Sequence, residues 1–427
     1  MLALARHARR RRRTTARSVL GILAGALLVL LVSGAAVAGI AVGSLAGSVT
    51  SISLGTNTPE PGVDISAIEG GANILLVGTD TRTGQKSAKK DKEQDQNNDV
   101  NILVHLSEDH TNLSVISFPR DMVVDVPSCT STGGAALPAV TGQMLNSTLA
   151  RGGLACVAST ISAMTGVKIP YGGVITWDGV VSMTDAVGGV QVCIANGIDD
   201  DLSHLHIGAG LKTLKGQRAL AFLRTRHGVG DGSDLGRISS QQVYLSALFR
   251  KVASAGTLAN PVKLYSLSKA ALSNIELSES LARTKTLVSL AFAMKNIDTS
   301  KVVFLQYPTV ADPANPNRVV ANTAQAALVN KALLKDRRIR LGKGSLGRGA
   351  TTETSTPTTT TPGKPTKTAK PTVTSAPTTT APTTAAPTST AAPTSTASAA
   401  PSKGAVKLGS GNSGQTAAQK TCSVGNG

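Results

Sequence analysis

The chain has 427 residues, a formal net charge of +18 and only 2% aromatic residues. Seven arginines fall in the first seventeen residues and a Thr/Pro-rich tail adds lysines with almost no acid, so the charge is not the footprint of a nucleic-acid surface. The scarcity of aromatics also argues against base-stacking platforms, and no nucleic-acid partner is expected. The length would allow two average domains, but the composition leaves room for one large globular domain.

Residues 1–17 read as a cytoplasmic Arg-rich segment. Ser18 to Val49 carries no charge and is long enough to cross a hydrocarbon core, which takes about 20 apolar residues. Arginines before this run and none just after it place the rest of the chain outside the cell membrane, as a single-pass protein. A cleaved signal peptide ending near Ala36-Val37-Ala38 is the rival reading, and the length of the run favours the anchor. Cys129, Cys156, Cys193 and Cys422 then lie on the oxidising side. Four cysteines allow three pairings; Cys129 with Cys156 is favoured because both lie in one loop-and-helix region.

Residues 50–71 form a polar spacer, and 72–341 the globular domain. Asn73 to Val77 is a wholly apolar run that predicts a buried strand, with Asp80 and Arg82 just past its C-terminal end. Lys86 to Asn98 is an apolar-free insert. Asp99 opens the next strand, Val100 to Leu106, and Leu113 to Phe118 is a third, closed by Pro119-Arg120-Asp121 and continued by Met122 to Val126. Thr141 to Thr165 has a helical pattern interrupted by Gly152-Gly153, and Val190 to Ile194 reads as a strand. Val262 to Asn296 predicts two helices, Val302 to Gln306 a late strand, and Thr323 to Leu334 a closing helix. The alternation predicts an α/β fold in which a central mixed sheet is covered by helices. Residues 342–414 read as a disordered Thr/Pro-rich stalk, followed by a short Cys-containing tail, 415–427.

The stretch with the most chemistry is Leu220 to Gln242. Leu220, Phe222, Arg224 and Arg226 alternate, which predicts a strand with both guanidinium groups on one face. A Gly/Asp-rich turn leads into a helix from Asp234, on which Arg237 and Gln241 are stacked four residues apart, with Ile238, Gln242, Leu245 and Phe249 as its buried stripe. Guanidinium forks match phosphate oxygens bidentately, so this turn is suited to a pyrophosphate. A solvated cationic face paired with Asp231 and Asp234 is the plainer alternative. Asp80 and Asp99, at two strand ends, suit a hard cation such as Mg2+, which accepts one or two carboxylates plus phosphate oxygens; capping a turn is the plainer role for either.

In order, GTDTR, an Asp opening a strand, SFPRD, DAVGGVQV, LRTRH and DLGRISSQQ resemble the LytR-CpsA-Psr family of bacterial cell-envelope proteins over roughly Asn73 to Arg250, in a cysteine-bearing form similar to actinobacterial members. The resemblance implies a membrane-anchored, extracytoplasmic, Mg2+-dependent phosphotransferase. Such an enzyme moves a glycopolymer from a polyprenyl-pyrophosphate carrier to peptidoglycan through a phosphodiester bond. It also implies an apolar tunnel for the prenyl chain, Asp80 and Asp99 as the metal-associated carboxylates, and Arg82, Arg120, Arg224, Arg226, Arg237 and Gln241 as pyrophosphate contacts. Asp80, Asp99 and Arg120 are the catalytic candidates. Three positions depart from the family's habit: Asn97 and Ser240 where it usually has Arg, and Met144 where Lys is common. A polyprenyl-pyrophosphate pyrophosphatase, or a lipid- or wall-binding protein without catalysis, are the alternative readings.

Overall fold

The computed structural model describes residues 51–54, 71–82, 85–86, 96–254, 269–270, 272–294, 297–353 and 404–426. The expected cytoplasmic segment, the transmembrane helix, nearly all of the spacer and insert, and residues 354–403 of the stalk lie outside them. Among the described residues no helix is long and apolar enough to cross a membrane.

The centre is an eight-stranded mixed sheet. Its strands are β1 (Ser51–Ile52), β2 (Ala72–Thr79), β3 (Asn98–Leu106), β4 (Leu113–Phe118), β7 (Tyr171–Ile175), β10 (Ile275–Ser278), β11 (Val302–Gln306) and β13 (Gly414–Thr416), in the spatial order β1-β10-β7-β2-β3-β4-β11-β13. A small antiparallel pair, β5 (Val123–Val126) with β6 (Val140–Met144), flanks it. The inner strands are buried on both faces, so they read as apolar runs rather than as an alternation. Period two still assigns the sides. Leu75, Leu103 and Ile116 pack with Leu154, Val157 and Ile161 of helix α1 (Thr148–Thr165) and Val329 and Leu333 of α6 (Thr323–Leu334). Ile74, Ile102 and Val115 face the other way, toward Leu277 and toward Leu290 of α5 (Thr284–Met294). The expected sheet covered by helices is what the chain builds.

A second, four-stranded sheet has the order β9-β8-β14-β12, where β8 is Val190–Ile194, β9 Gly210–Leu214, β12 Ala350–Thr352 and β14 Thr421–Ser423. It packs on α3 (Gly216–Arg224) and α4 (Asp234–Ala253) through Val192, Leu214, Phe222 and Val243.

Four expectations are corrected. Leu220 to Arg226 is not a strand: Gly216–Arg224 is helical, and Ala219, Leu220, Ala221 and Phe222 are buried in succession because α3 is packed on several sides, so its alternation carried no directional information. Thr141 to Thr165 is not one helix, since β6 occupies Val140–Met144 and α1 begins at Thr148, with Gly152 and Gly153 in non-helical conformations. Ile275–Ser278, inside the span expected as two helices, is an inner strand of the main sheet. Met122 to Val126 does not extend β4; Val123–Val126 turns away to pair with β6.

The stalk boundary also moves. Residues 342–353 and 404–414 belong to the folded body, because apolar side chains on both sides of the Thr/Pro tract are buried, Ile339 before it and Leu408 and Ala417 after it. Cys422 is bonded to Cys193, and Cys129 to Cys156.

Candidate active site

The C-terminal end of β2 and the start of β3 are forced close by Gly78, where a Cβ would stand 2.9 Å from the Cβ of Val100. Beside it the buried Asn98 donates its amide to the carbonyl of Leu145 (3.0 Å) and accepts from the backbone N–H of Leu149 (3.0 Å), tying this sheet edge to the first turn of α1. Asp99 is thereby presented at the rim. Its carboxylate Oδ1 accepts from Nη1 of Arg120 at 2.6 Å, and its carbonyl from Nη2 of Arg237 at 3.0 Å. Arg120 stands on the turn after β4, its Nε 3.6 Å from Asp121 and 3.7 Å from Asp234.

Helix α4 begins at Asp234 with Ser233 as its N-cap, the hydroxyl accepting from the N–H of Gly236. One turn in, the buried Arg237 pairs with Asp234. The next turn carries Gln241, whose amide donates to the carbonyl of Leu223 at 2.8 Å and so fixes the end of α3. From there Arg224 lies over the ring of Trp177, 3.5 Å from its centroid, at the start of helix α2 (Trp177–Ala186). Arg82 approaches the same ring at 5.3 Å. Thr225, between Arg224 and Arg226, is buried and donates its hydroxyl to Asp200 at 2.5 Å.

These elements enclose a cavity of about 430 Å³. Asp99, Arg120, Arg224, Arg226, Arg237 and Gln241 all line it. Much of the remaining wall is apolar, with Leu76 and Ile102 from the sheet and Val180, Leu220, Leu245 and Leu248 from α2, α3 and α4, while Asp200 and His227 add polar groups. Two expected residues stand apart. Asp80 is not on the wall; its carboxylate accepts from the N–H of Asn97 at 2.8 Å and closes the base of the insert. Arg82 is not on the wall either; it approaches Trp177, which is.

Burial opposes the charge on Arg120, but Asp99, then Asp234 and Asp121, outweigh it and hold its pKa above the ordinary guanidinium value. Burial pushes the Asp234 carboxyl up, with Arg237 pulling the other way. Burial also works against the charge on Asp200, yet hydrogen bonds from Thr225, Ser203 and Leu202 prevail and lower its pKa. The Nε atoms of Arg120 and Arg237 are buried without a hydrogen-bond acceptor, as is the hydroxyl of Tyr244 on the cavity wall. An anion bringing several oxygens would relieve the two arginines. The donor set also fits a hard dication, since Asp99 gives one carboxylate oxygen to Arg120 and keeps the other, while phosphates supply more oxygens.

Trp177, Asp200, Thr225 and Asp234 were not read as site residues from the sequence. Asp234 carried a usable signal, being three residues before Arg237 at a helix start, and Trp177 is the single tryptophan. Asp200 and Thr225 meet only through the fold.

A model of the LytR_cpsA_psr family matches residues 42–336. The cell wall biosynthesis protein LcpA of Corynebacterium glutamicum is 31% identical over 67% of this chain and 58% of its own length. LcpB of the same organism, named as a cell wall biosynthesis protein, is 30% identical over 53% of this chain and 52% of its own length, so the chain spans a little over half the length of these relatives. The polyisoprenyl-teichoic acid–peptidoglycan teichoic acid transferase TagV of Bacillus subtilis is 27% identical over 49% of this chain and 53% of its own length. The crystal structure of Bacillus subtilis TagV superposes with a TM-score of 0.49 at 22% identity, covering 62% of this chain and 96% of that one.

Proposed function

Since this chain belongs to the LytR-CpsA-Psr family, we propose that it is an envelope phosphotransferase that takes a glycopolymer from a polyprenyl-pyrophosphate carrier and joins it to peptidoglycan. The observation that carries the reading is one cavity with four arginines and Asp99 in its wall beside a long apolar lining. The polar part suits the diphosphate and the apolar part the prenyl chain. The name of TagV, a polyisoprenyl-linked polymer transferase, supports the same chemistry.

In this reading Arg120, Arg224, Arg226 and Arg237 bind the two phosphates and neutralise charge as the bridging bond breaks. An acceptor hydroxyl attacks the phosphorus nearest the glycan, and prenyl phosphate leaves. Phosphoryl transfer asks a protein mainly for positioning and electrostatic stabilisation, and fixed guanidinium groups along one cavity wall provide both. Asp99, the carboxylate on the wall, draws the proton from the acceptor hydroxyl at its Oδ2. Asp99 Oδ2 and phosphate oxygens, with Asp80 bonded to Asn97 two residues before Asp99, would hold Mg2+, which supplies further neutralisation of the phosphates when bound. Asp99 takes the proton only when that oxygen is not on the ion. Residues 18–49 anchor the chain and leave the domain on the outer side, where both disulfides are stable.

The test is to incubate the full chain with a glycan on a polyprenyl pyrophosphate, with and without peptidoglycan. A new phosphodiester plus prenyl phosphate is the expected outcome; water-derived products alone would mean a pyrophosphatase, and binding without turnover a carrier protein. Arg120→Ala lowers kcat by about 10²–10³, the usual cost of removing one such donor, and Arg120→Lys does not restore it because the planar fork is lost.

A further inference from the structure

The loop from Thr225 to Ser233 carries Arg226 and His227 to the cavity and then caps α4. Its internal bonds include the N–H of Val229 to the carbonyl of Arg226 at 3.4 Å, the N–H of Gly232 to that of Val229 at 3.0 Å, and Nε of Arg226 to that of Gly232 at 3.4 Å. The segment after β14 supplies several more. The N–H of Gly230 donates to the carbonyl of Val424 at 2.9 Å, and the N–H of Asn426 to the carbonyl of Gly228 at 3.2 Å. The side-chain amide of Asn426 donates to the carbonyl of His227, next to Arg226, and Val229 bridges Gly425 in antiparallel fashion.

That segment is itself seated firmly. Cys422 is bonded to Cys193, and β14 runs parallel to β8. Asn196 holds Gly425 by both its amide atoms, at 2.8 and 2.9 Å. A Cβ on Gly425 would stand 1.9 Å from the carbonyl of Gly197, so only glycine fits. On the inner side the hydroxyl of Ser423 touches that of the fully buried Ser240, directly before Gln241 in α4. With Ser423 in contact and Ser240 fully buried, there is no room for a larger side chain at 240.

We infer that Val424–Asn426, fastened by the Cys193–Cys422 bond, is a clasp that positions Arg226 and the mouth of the cavity, and that a small residue at 240 is what allows the clasp to seat. The inference rests on the phosphotransferase reading for its activity readout only. Asn426 is exposed, so Asn426→Ala removes one holding contact with little risk to folding. Alongside it stand Ser240→Arg, which would displace Ser423, and the double variant Cys193→Ser/Cys422→Ser.

The experiment is hydrogen exchange on the full chain, followed by transfer kinetics. Exchange of the Gly228–Gly230 amides rises about tenfold in Asn426→Ala, the equivalent of one hydrogen bond, and further in Ser240→Arg. The transfer kcat falls by up to about 100-fold while KM changes much less, because a displaced arginine costs the transition state more than the bound lipid. Unchanged exchange in this loop overturns the inference, as does raised exchange with unaltered kcat. Exchange alone decides whether the clasp holds the loop, so a lack of transfer by the unmodified protein counts against the proposed function and not against the clasp.

Discussion

Trp177 meets two cationic side chains, with Arg224 at 3.5 Å and Arg82 at 5.3 Å from its ring centroid. The ring face attracts a guanidinium through its quadrupole, so Trp177 holds Arg224 in place at the cavity wall. Trp177→Ala therefore weakens binding of a short prenyl pyrophosphate by about 0.5–2 kcal/mol, read by calorimetry, and Trp177→Phe keeps most of the affinity. Equal losses in both would mean that the aromatic face is not what holds Arg224. Asp200, itself on the cavity wall, holds Thr225 and so the backbone between Arg224 and Arg226. Its folded pKa lies below the ordinary 3.8, so its stabilising effect is fully present above that value and is lost as pH falls through the folded one. Asp200→Asn lowers stability at pH 7 by about 1.5–3 kcal/mol, the worth of hydrogen bonds to a charged acceptor, and the gap to the unmodified protein narrows in acid. Denaturant midpoints at several pH values check this; a gap independent of pH would exclude the carboxylate charge as its source.

Helix α4 brings most of the site's polar groups into register, and its first turn depends on one cap. The Ser233 hydroxyl accepts from Gly236 and donates to Asp231. Ser233→Ala costs about 1 kcal/mol of stability, and thermal unfolding beside the tolerated Ser233→Asp tests whether capping is the cause. This helix was legible in the sequence because Asp234, Arg237 and Gln241 sit at helical spacing after a turn. The stretch before it was not. Leu220, Phe222 and Arg224 satisfy a period of two, but α3 is short and buried on several sides, which leaves a one-turn pattern unable to tell helix from strand. The arginines nevertheless reach the cavity as the alternation implied, because the chain turns after Arg224 and presents Arg226 from the loop. Ile275–Ser278 was missed for a related reason: four residues between helical stretches hold too few positions for a period to emerge.

The body of the molecule is closed by two bonds of very different span, Cys129–Cys156 with a sequence separation of 27 and Cys193–Cys422 with 229. Sequence alone leaves the second one open, because a three-residue strand beyond a low-complexity tract gives no sign of which sheet it joins. Loop closure makes the two unequal. On the chain-entropy account the shorter bond removes about 3.5 kcal/mol of denatured-state freedom and the longer somewhat more than 5 kcal/mol. The native contacts act in the same direction. Breaking the longer bond also releases β14, whose partners are β8 and β12 of the second sheet and Ser240 of α4. Breaking the shorter one frees only the short Cys129–Thr130 stretch, which still packs closely against Gly152 of α1. Cys193→Ser/Cys422→Ser therefore lowers the melting temperature more than Cys129→Ser/Cys156→Ser does, in scans without reductant. The reverse order would mean that the late strands are held by the sheet alone, and that the chain reaches its native closure before the second bond forms.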